Sequence, residues 1–492
     1  MKPLTAVACC TPNSAGETAL RYLAQSPLVE APVLLCCPAG RPAMPGARIL
    51  ATDCPFSEQV LGALLDSVRT PYLLLLPDGG PVEVGQSGLE RLIGAAQKPH
   101  TGIVYADYYE DENGAKRLHP LIDYRPGSVR DDFAFGPMFL ISVEAARHAR
   151  KTHSLVPGVL YAGLYDLRLK ISIDRQIARV PAPLYTAQAP GGGRPAALFD
   201  YLDPRNRAVQ KEMEQVFTDY LRKIGAYVPA ARLRPYDAAG APFPVEASVV
   251  IPVRDRAKTI AQAVRSALSQ ETPFPFNVIV VDNHSTDGTT AVLADLARRH
   301  AALRHVVPER TDLAIGGCWN EAVRSPACGR YAVQLDSDDL YRDAHVLRRM
   351  VDMLKEGYAM VIGGYTLVDF GLNEIPPGLI DHGEWTDENG HNNALRVNGL
   401  GAPRAFSTAL MRETGFLNVS YGEDYAAALR VCREYKVGRI YESLYLCRRW
   451  PGNTDAGLDL ERASRNDVFK DEVRTDEITA RQAVSREAGY RP

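Results

Sequence analysis

The chain lacks any apolar run approaching the roughly 20 residues that a membrane-spanning helix needs. It also lacks an excess of basic charge. Fifty-six Lys and Arg stand against 59 Asp and Glu, for a formal net charge of −3. Bulk charge therefore gives no reason to expect nucleic acid or an anionic membrane as partner, although local basic patches fit this balance. Cysteine is sparse: nine, at positions 9, 10, 36, 37, 54, 318, 328, 432 and 447, with no pair in CxxC spacing. A zinc site or a disulfide framework is not expected from such a set. Most of these cysteines sit in apolar runs, as small core residues in a reducing compartment do. The run after Lys2 is short and ends at Pro12-Asn13, so it reads as a first strand and not as a signal peptide. A soluble cytoplasmic protein is the expectation, with peripheral membrane contact as the alternative.

What is present is globular. Apolar residues make up 46% and charged residues 23% of the sequence. At 492 residues the chain exceeds one ordinary core and suits two domains. In the first half, short apolar runs at 4–10, 32–37, 48–51, 72–76 and 102–105 alternate with helix-like segments such as 16–25 and 57–69. The second half repeats the plan, with runs at 247–253, 277–282, 303–307, 331–335 and 359–363. Helix-like segments lie there at 259–270, 288–300 and 345–355. Apolar strands alternating with helices predict a mostly parallel sheet covered on both faces, so the fold class is α/β. Between the halves, 203–224 reads as a helix with Met213, Val216, Phe217, Tyr220 and Leu221 on one face. Residues 229–244, rich in Pro, Ala and Gly, read as a linker. SVRTPYLLLLPDGG (67–80) parallels AVRSPACGRYAVQLDSDD (322–339), which points to tandem duplication.

The strongest chemical signal is Asp336-Ser337-Asp338-Asp339, directly after the run 331–335. Carboxylates crowded at the C-terminal end of a strand repel one another, and they lie where doubly wound sheets bind ligands. A hard divalent cation relieves that repulsion. The competing reading is a solvated acidic turn. Context bears on the choice: ASVVIPVRDRAKTIAQAVRSALSQ (247–270), FNVIVVDNHSTDGTTAVLADL (276–296), the acidic segment itself and GEDYAAALRV (422–431) follow in order.

Those four segments together resemble family 2 glycosyltransferases of the GT-A fold, over roughly residues 247–450. The resemblance implies two tandem GT-A-like domains. A degenerate one spans 1–202, a helical segment and linker 203–244, the catalytic one 245–455, and a charged helical tail 456–492. It implies that Pro252, Val253 and Arg254 line the pocket for the donor's base, and that Asp282 or Asn283 contacts base or ribose. It assigns Asp336 and Asp338 to ribose and metal, with Asp339 beside them, and Mn²⁺ or Mg²⁺ as the cofactor. In Glu423-Asp424 it gives the Asp the part of catalytic base. Arg448, Arg449 and Trp450 resemble the end of a QxxRW motif that braces diphosphate and acceptor. Three departures stand out. Asn283 replaces a frequent second Asp, Leu446 stands where Gln is expected, and no His follows His391 to serve as a late metal ligand.

The chemistry suits these residue types. A base removes the proton of an acceptor hydroxyl as it attacks, the departing nucleoside diphosphate is stabilised by metal and cationic side chains, and backside attack inverts the anomeric centre. Acidic residues such as Glu423 and Asp424 also cap helix N-termini. The implied partners are a UDP- or GDP-linked sugar and a glycan, lipid-linked saccharide or protein acceptor, with self-association left open. Trp385, His382 and His391, in the irregular stretch 370–406, are candidates for acceptor contacts, with a structural role as the alternative. The tail after Asn453 is charged and helix-prone, and reads as a solvated helix on the surface or against another subunit.

The first half carries Pro77, Asp78, Gly79 and Gly80 opposite the acidic segment, with Asp107 on a later strand end and Tyr165-Asp166 opposite Glu423-Asp424. It is expected to keep the fold without a metal site. The alternatives are an enzyme with a site in each half and a nonenzymatic sugar-nucleotide-binding scaffold. A nucleotidyltransferase is disfavoured because its glycine-rich phosphate loop is absent.

Overall fold

The structure is a computed structural model that describes residues 2–10, 16–30, 32–36, 46–188, 206–238, 240, 242–453 and 457–487. The expected domain boundary at 202/203, the Pro12-Asn13 turn and Cys37 lie outside the described residues. The chain divides into two compact units, Met1–Tyr227 with Leu460–Pro492, and Val228–Asp459.

In the first unit the strands are β1 (Leu4–Cys10), β2 (Val33–Cys36), β3 (Arg48–Ala51), β4 (Tyr72–Leu76), β5 (Val82–Glu83), β6 (Thr101–Glu112), β7 (Ala115–His119), β8 (Phe139–Ser142) and β9 (Gln176–Gln188). They form one sheet in the order β3-β2-β1-β4-β8-β6-β9-β5, with β7 on β6. The second unit has β10 (Ala247–Val253), β11 (Phe276–Asp282), β12 (Leu303–Val306), β13 (Tyr331–Gln334), β14 (Leu340–Tyr341), β15 (Met360–Val368), β16 (Glu374–Ile380), β17 (Arg404–Ser407) and β18 (Val437–Arg448). Its order is β12-β11-β10-β13-β17-β15-β18-β14, with β16 on β15. Every strand of the second sheet therefore answers to one in the first, and the two units share one plan. The α/β class with two tandem domains is as the sequence led us to expect.

The sheets are mixed, which corrects the expectation of a mostly parallel arrangement. β12, β11, β10 and β13 run parallel. β17 then enters antiparallel to both β13 and β15, as β8 does between β4 and β6. A short strand covered on both faces is apolar whichever way it runs, so composition does not reveal direction. Burial follows the apolar runs: Val249, Val250 and Ile251 of β10 and Val278, Ile279, Val280 and Val281 of β11 are fully buried.

The charged tail contributes a 28-residue helix, Leu460–Glu487, to the first unit. Its buried row is Lys470, Asp471, Arg474, Glu477, Ile478, Arg481 and Ser485, spaced along one face. The expected solvated helix thus turns its charges inward. Pairing makes this tolerable. Asp471 accepts from Ser128 Oγ at 2.7 Å and lies 3.5 Å from Arg130 Nε, while Arg481 Nε donates to Glu477 at 2.8 Å. Gly127 permits the close approach, because a Cβ there would stand 2.0 Å from the Asp471 carbonyl oxygen and 2.4 Å from Thr475 N. Gly127→Ala is therefore expected to push the helix off its seat at a cost of about 1–3 kcal/mol. Limited proteolysis should then cut within 460–487 sooner than in the wild type; an unchanged digestion pattern would argue against this docking.

Candidate active site

The chain leaves β13 at Leu335, whose N–H donates to Val250 O at 3.1 Å. The acidic segment that follows is held from several directions. Asp336 N donates to Tyr445 Oη at 2.7 Å, and its carboxylate accepts from Gln334 Nε2 at 2.9 and 3.1 Å. Asp338 Oδ2 accepts from Trp450 Nε1 at 2.9 Å and from Asn453 Nδ2 at 3.3 Å, with Arg256 Nε 3.8 Å away. Asp339 Oδ1 accepts from Arg448 N at 2.7 Å.

Burial raises the Asp336 carboxyl above its ordinary range, with Asp338 adding to it, despite the bond from Gln334 and the charge of Arg404. Asp339 is driven well above that range by burial and then by Asp336 and Asp338. Carboxylates buried and crowded in this way suit a hard cation. Among the described residues no three His, Cys, Asp or Glu side chains form a complete metal cage.

The helix Glu423–Glu434 opens from Gly422, whose φ of +79° suits glycine and turns the chain into the helix. Glu423 is buried, and burial together with the adjoining Asp424 pushes its carboxyl up to about 8. Asp424 is 33% exposed at its side chain and forms an ion pair with Arg404. Arg404 sits on β17, beside β13, and its backbone N–H donates to Gln334 Oε1 at 3.2 Å. Gln334 thus bonds to Asp336 with one end of its amide and to the Arg404 backbone with the other. The acidic segment and the Glu-Asp pair, far apart in sequence, are joined through these two residues.

The raised Glu423 makes a stability prediction. The folded chain keeps a proton near pH 8 that the unfolded chain releases near its ordinary value of 4.5. Folding stability is therefore fullest below that lower value and declines as pH rises toward the upper one. Urea midpoints should fall between about pH 5 and about pH 8, and Glu423→Gln should flatten that decline. Equal slopes in wild type and variant would show that Glu423 does not carry the proton.

On the side expected to receive the base, Asp282 is fully buried and occupied. It accepts from Ser285 N at 3.1 Å, Thr290 Oγ1 at 2.6 Å and His305 Nε2 at 3.2 Å. Burial alone would raise it, but these bonds outweigh burial and hold it below the usual carboxylate range. It braces the turn after β11. Asn283 is also buried, yet only its Nδ2 is used, donating to Leu313 O at 2.7 Å; its Oδ1 has no partner among the described residues. Val253 is buried and its carbonyl accepts from Asn283 N at 2.8 Å, Pro252 is half-buried, and Arg254 is exposed.

The last strand brings its cations to the same place. The Arg448 guanidinium is buried, donates to Gln262 Oε1 at 2.9 Å and lies 5.1 Å from the Phe370 ring, with Nε and one terminal nitrogen unpartnered among the described residues. Arg449 N donates to Val368 O at 2.8 Å. The Trp450 ring lies 5.3 Å from Phe370. By contrast, Trp385, His382 and His391 are all buried. Trp385 packs under Arg439 at 4.9 Å, His382 Nδ1 meets Glu384 at 3.0 Å, and His391 Nε2 meets Val228 O at 2.7 Å. Gln334, Arg404, Arg256, Tyr445 and Asn453 were not foreseen. Only Arg256, in the same turn as Arg254, carried any local signal.

Residues 248–416 match the Glycosyl transferase family 2 model. The second unit carries a family 2 glycosyltransferase domain. The matched stretch of this transferase domain includes the acidic segment and ends before Glu423. TuaG of Bacillus subtilis (strain 168), whose name places it in teichuronic acid biosynthesis as a glycosyltransferase, is 31% identical over 121 residues, 25% of this chain and 47% of that protein. Glycosyltransferase AglJ of Haloferax volcanii is 33% identical over 122 residues, 25% of this chain and 37% of that protein. The chain thus spans less than half the length of these curated relatives. A solved structure of S. aureus TarS, residues 1–349, has 19% identity, covering 48% of this chain and 71% of that one, with a TM-score of 0.35.

In the first unit the corresponding positions differ. Counting from the first residue of each 12-residue helix, Gly163 and Leu164 take the places of Glu423 and Asp424. Asp166, aligned with Asp424 by sequence, therefore lies two residues further into its helix. It is fully buried, bonded to Lys170 Nζ at 2.6 Å and to Val156 N at 2.6 Å. Asp107 is bound to Leu121 N at 2.9 Å and to Arg179 at 3.0 Å. Both carboxylates serve as structural anchors.

Proposed function

We propose that the second unit transfers a glycosyl group from a UDP- or GDP-linked sugar to a hydroxyl acceptor with inversion at the anomeric carbon. The observation that carries this reading is the convergence of the acidic segment and the Glu-Asp helix start through Gln334 and Arg404, inside a family 2 domain. Asp424 is the base of choice, because it is the more exposed of the two carboxylates and its pairing with Arg404 favours the ionised form. Glu423, holding its proton, supports the helix start. The bond from acceptor oxygen to anomeric carbon forms as the bond to the diphosphate oxygen breaks. The acceptor proton goes to Asp424 and the electron pair to the leaving group. A divalent cation, Mn²⁺ or Mg²⁺, held by Asp338 with Asp336 beside it, would stabilise the departing diphosphate as a Lewis acid. Arg448 adds positive charge beside the same segment, where its backbone N–H donates to Asp339. Among the described residues no helix is long and apolar enough to cross a membrane, and the acceptor is a glycan, a lipid-linked saccharide or a protein hydroxyl.

The test is a donor-hydrolysis screen across UDP- and GDP-sugars with and without Mn²⁺, with the anomeric configuration of any product read by NMR. Metal-stimulated release of nucleoside diphosphate from at least one donor is expected. Binding of sugar nucleotides with no turnover of any would favour a nonenzymatic scaffold, and a retained configuration would overturn inversion.

A further inference from the structure

The first unit has lost the acidic segment but not the place where it stood. A cavity of about 650 Å³ opens there, at the end of β4 (Pro77, Asp78), along the helix Gly163–Asp174 and at the end of β9 (Ala187, Gln188). This is the position that the transfer site holds in the second unit's copy of the fold. Its volume lies within the range of ~300–1,000 Å³ typical of small-molecule sites. Aromatic side chains form much of its wall, including Tyr108, Phe133, Phe135 and Tyr161. Three charged residues also line it: Asp78, Asp131 and Arg168.

Arg168 is the informative one. It is 5% exposed and stacked among Tyr165, Phe135 and Tyr124, with its guanidinium carbon 4.8, 5.5 and 5.8 Å from the ring centroids. One terminal nitrogen donates to Arg130 O at 2.9 Å, while Nε has no partner among the described residues. That nitrogen is sealed from the cavity, but the guanidinium as a whole lines it and sets a fixed positive charge among the aromatic rings. The cavity therefore offers aromatic faces, a buried guanidinium and carboxylates together.

Each class of ligand meets this set differently. A metal-bound diphosphate finds Pro77, Gly79 and Gly80 where the second unit has carboxylates. An anionic amphiphile would bring its charge beside Asp78 and Asp131. A cation would meet the buried Arg168. A neutral polyhydroxylated ring satisfies all three features. Its hydroxyls donate to carboxyl oxygens without bringing a charge beside Arg168, and its C–H faces lie against aromatic rings. We propose that the first unit binds a neutral saccharide, of about disaccharide size, in this cavity without a metal ion. The inference stands on the first unit alone and does not depend on turnover by the second.

The experiment is calorimetric titration of the full chain, in the presence of EDTA, with maltose, cellobiose, lactose, chitobiose and mannobiose. At least one is expected to bind, and to bind equally to the Asp338→Asn variant. Tyr161 is 46% exposed at the cavity, so Tyr161→Ala should fold normally and weaken binding about tenfold through lost stacking. Asp78→Asn and Arg168→Gln should weaken it further, with circular dichroism checking the fold of the more buried Arg168 variant. All three tryptophans, Trp319, Trp385 and Trp450, belong to the second unit, so a tryptophan response that Asp338→Asn abolishes would report binding at the second unit's site. No binding by any of the five sugars, binding indifferent to Tyr161→Ala and Asp78→Asn, or a tryptophan response abolished by Asp338→Asn would overturn the proposal. So would tighter binding of decyl phosphate than of every saccharide, with loss in Arg168→Gln, which would assign the cavity to an anionic amphiphile. Transfer activity is read separately by donor hydrolysis, so failure here leaves the second unit's function untouched.

Discussion

Asp338→Asn is expected to abolish metal-dependent donor binding and to lower transfer by a factor on the order of 10³ or more, the loss that follows when a diphosphate leaving group departs unassisted. The fold should survive. Asp338 lies beside Asp336 and Asp339, and its charge helps hold both carboxyls above their ordinary range. An amide in its place relieves that repulsion while still accepting hydrogen bonds from Trp450 Nε1 and Asn453 Nδ2. The apo variant should therefore melt no lower than the wild type. Donor binding measured with and without Mn²⁺ separates the two effects: the wild type should gain affinity with the metal and the variant should not. Full wild-type activity in excess chelator would remove the metal from the mechanism altogether.

The second large effect belongs to Asp424. Asp424→Asn should leave donor affinity nearly unchanged and cut turnover by a factor on the order of 10² or more, the contribution of a positioned general base. The amide keeps a hydrogen bond within reach of Arg404, so loss of activity would not reflect an orphaned guanidinium. Glu423→Gln provides the contrast. A residue that already holds its proton near neutrality gives up little catalytic power on becoming an amide, and its variant should turn over within a few-fold of the wild type. The reverse pattern, with Glu423→Gln crippled and Asp424→Asn active, would exchange the two roles. Asp424 is ion-paired with Arg404, and a base must be freed to take the acceptor's proton, so acceptor binding is expected to loosen that pair. If it does, Arg404→Lys should change turnover more than donor affinity.

Both assignments draw on residues that the sequence exposed and on partners that it did not. β1, β4 and β10 begin and end where their apolar runs do, because a strand buried on both faces is written as one unbroken local stretch. Asp336, Asp338, Asp339, Glu423 and Asp424 were readable for a similar reason, since each lies in a short segment whose order along the chain is distinctive. The helix of 460–487 was readable as a helix, but its charges concealed its seat. Charge in a sequence says nothing of whether a partner such as Arg130, several hundred residues away, will cancel it.

The sequence by itself determined the longer apolar strands, the parallel between the two halves and the acidic segment, but not the short strands such as Phe139–Ser142 and Arg404–Ser407. Tertiary structure alone decided that β8 and β17 run against their neighbours, that Asp166 is locked to Lys170, and that Asp282 is spent on its own turn while Asn283 Oδ1 is left without a partner among the described residues. It also decided that Gln334 and Arg404, 70 residues apart, join the two acidic motifs. Periodicity and turn chemistry act over a few neighbouring residues and are written into them. Pairing between distant side chains is fixed by strand order and by which polar atoms burial leaves to satisfy one another, and that is settled only when the whole sheet has closed.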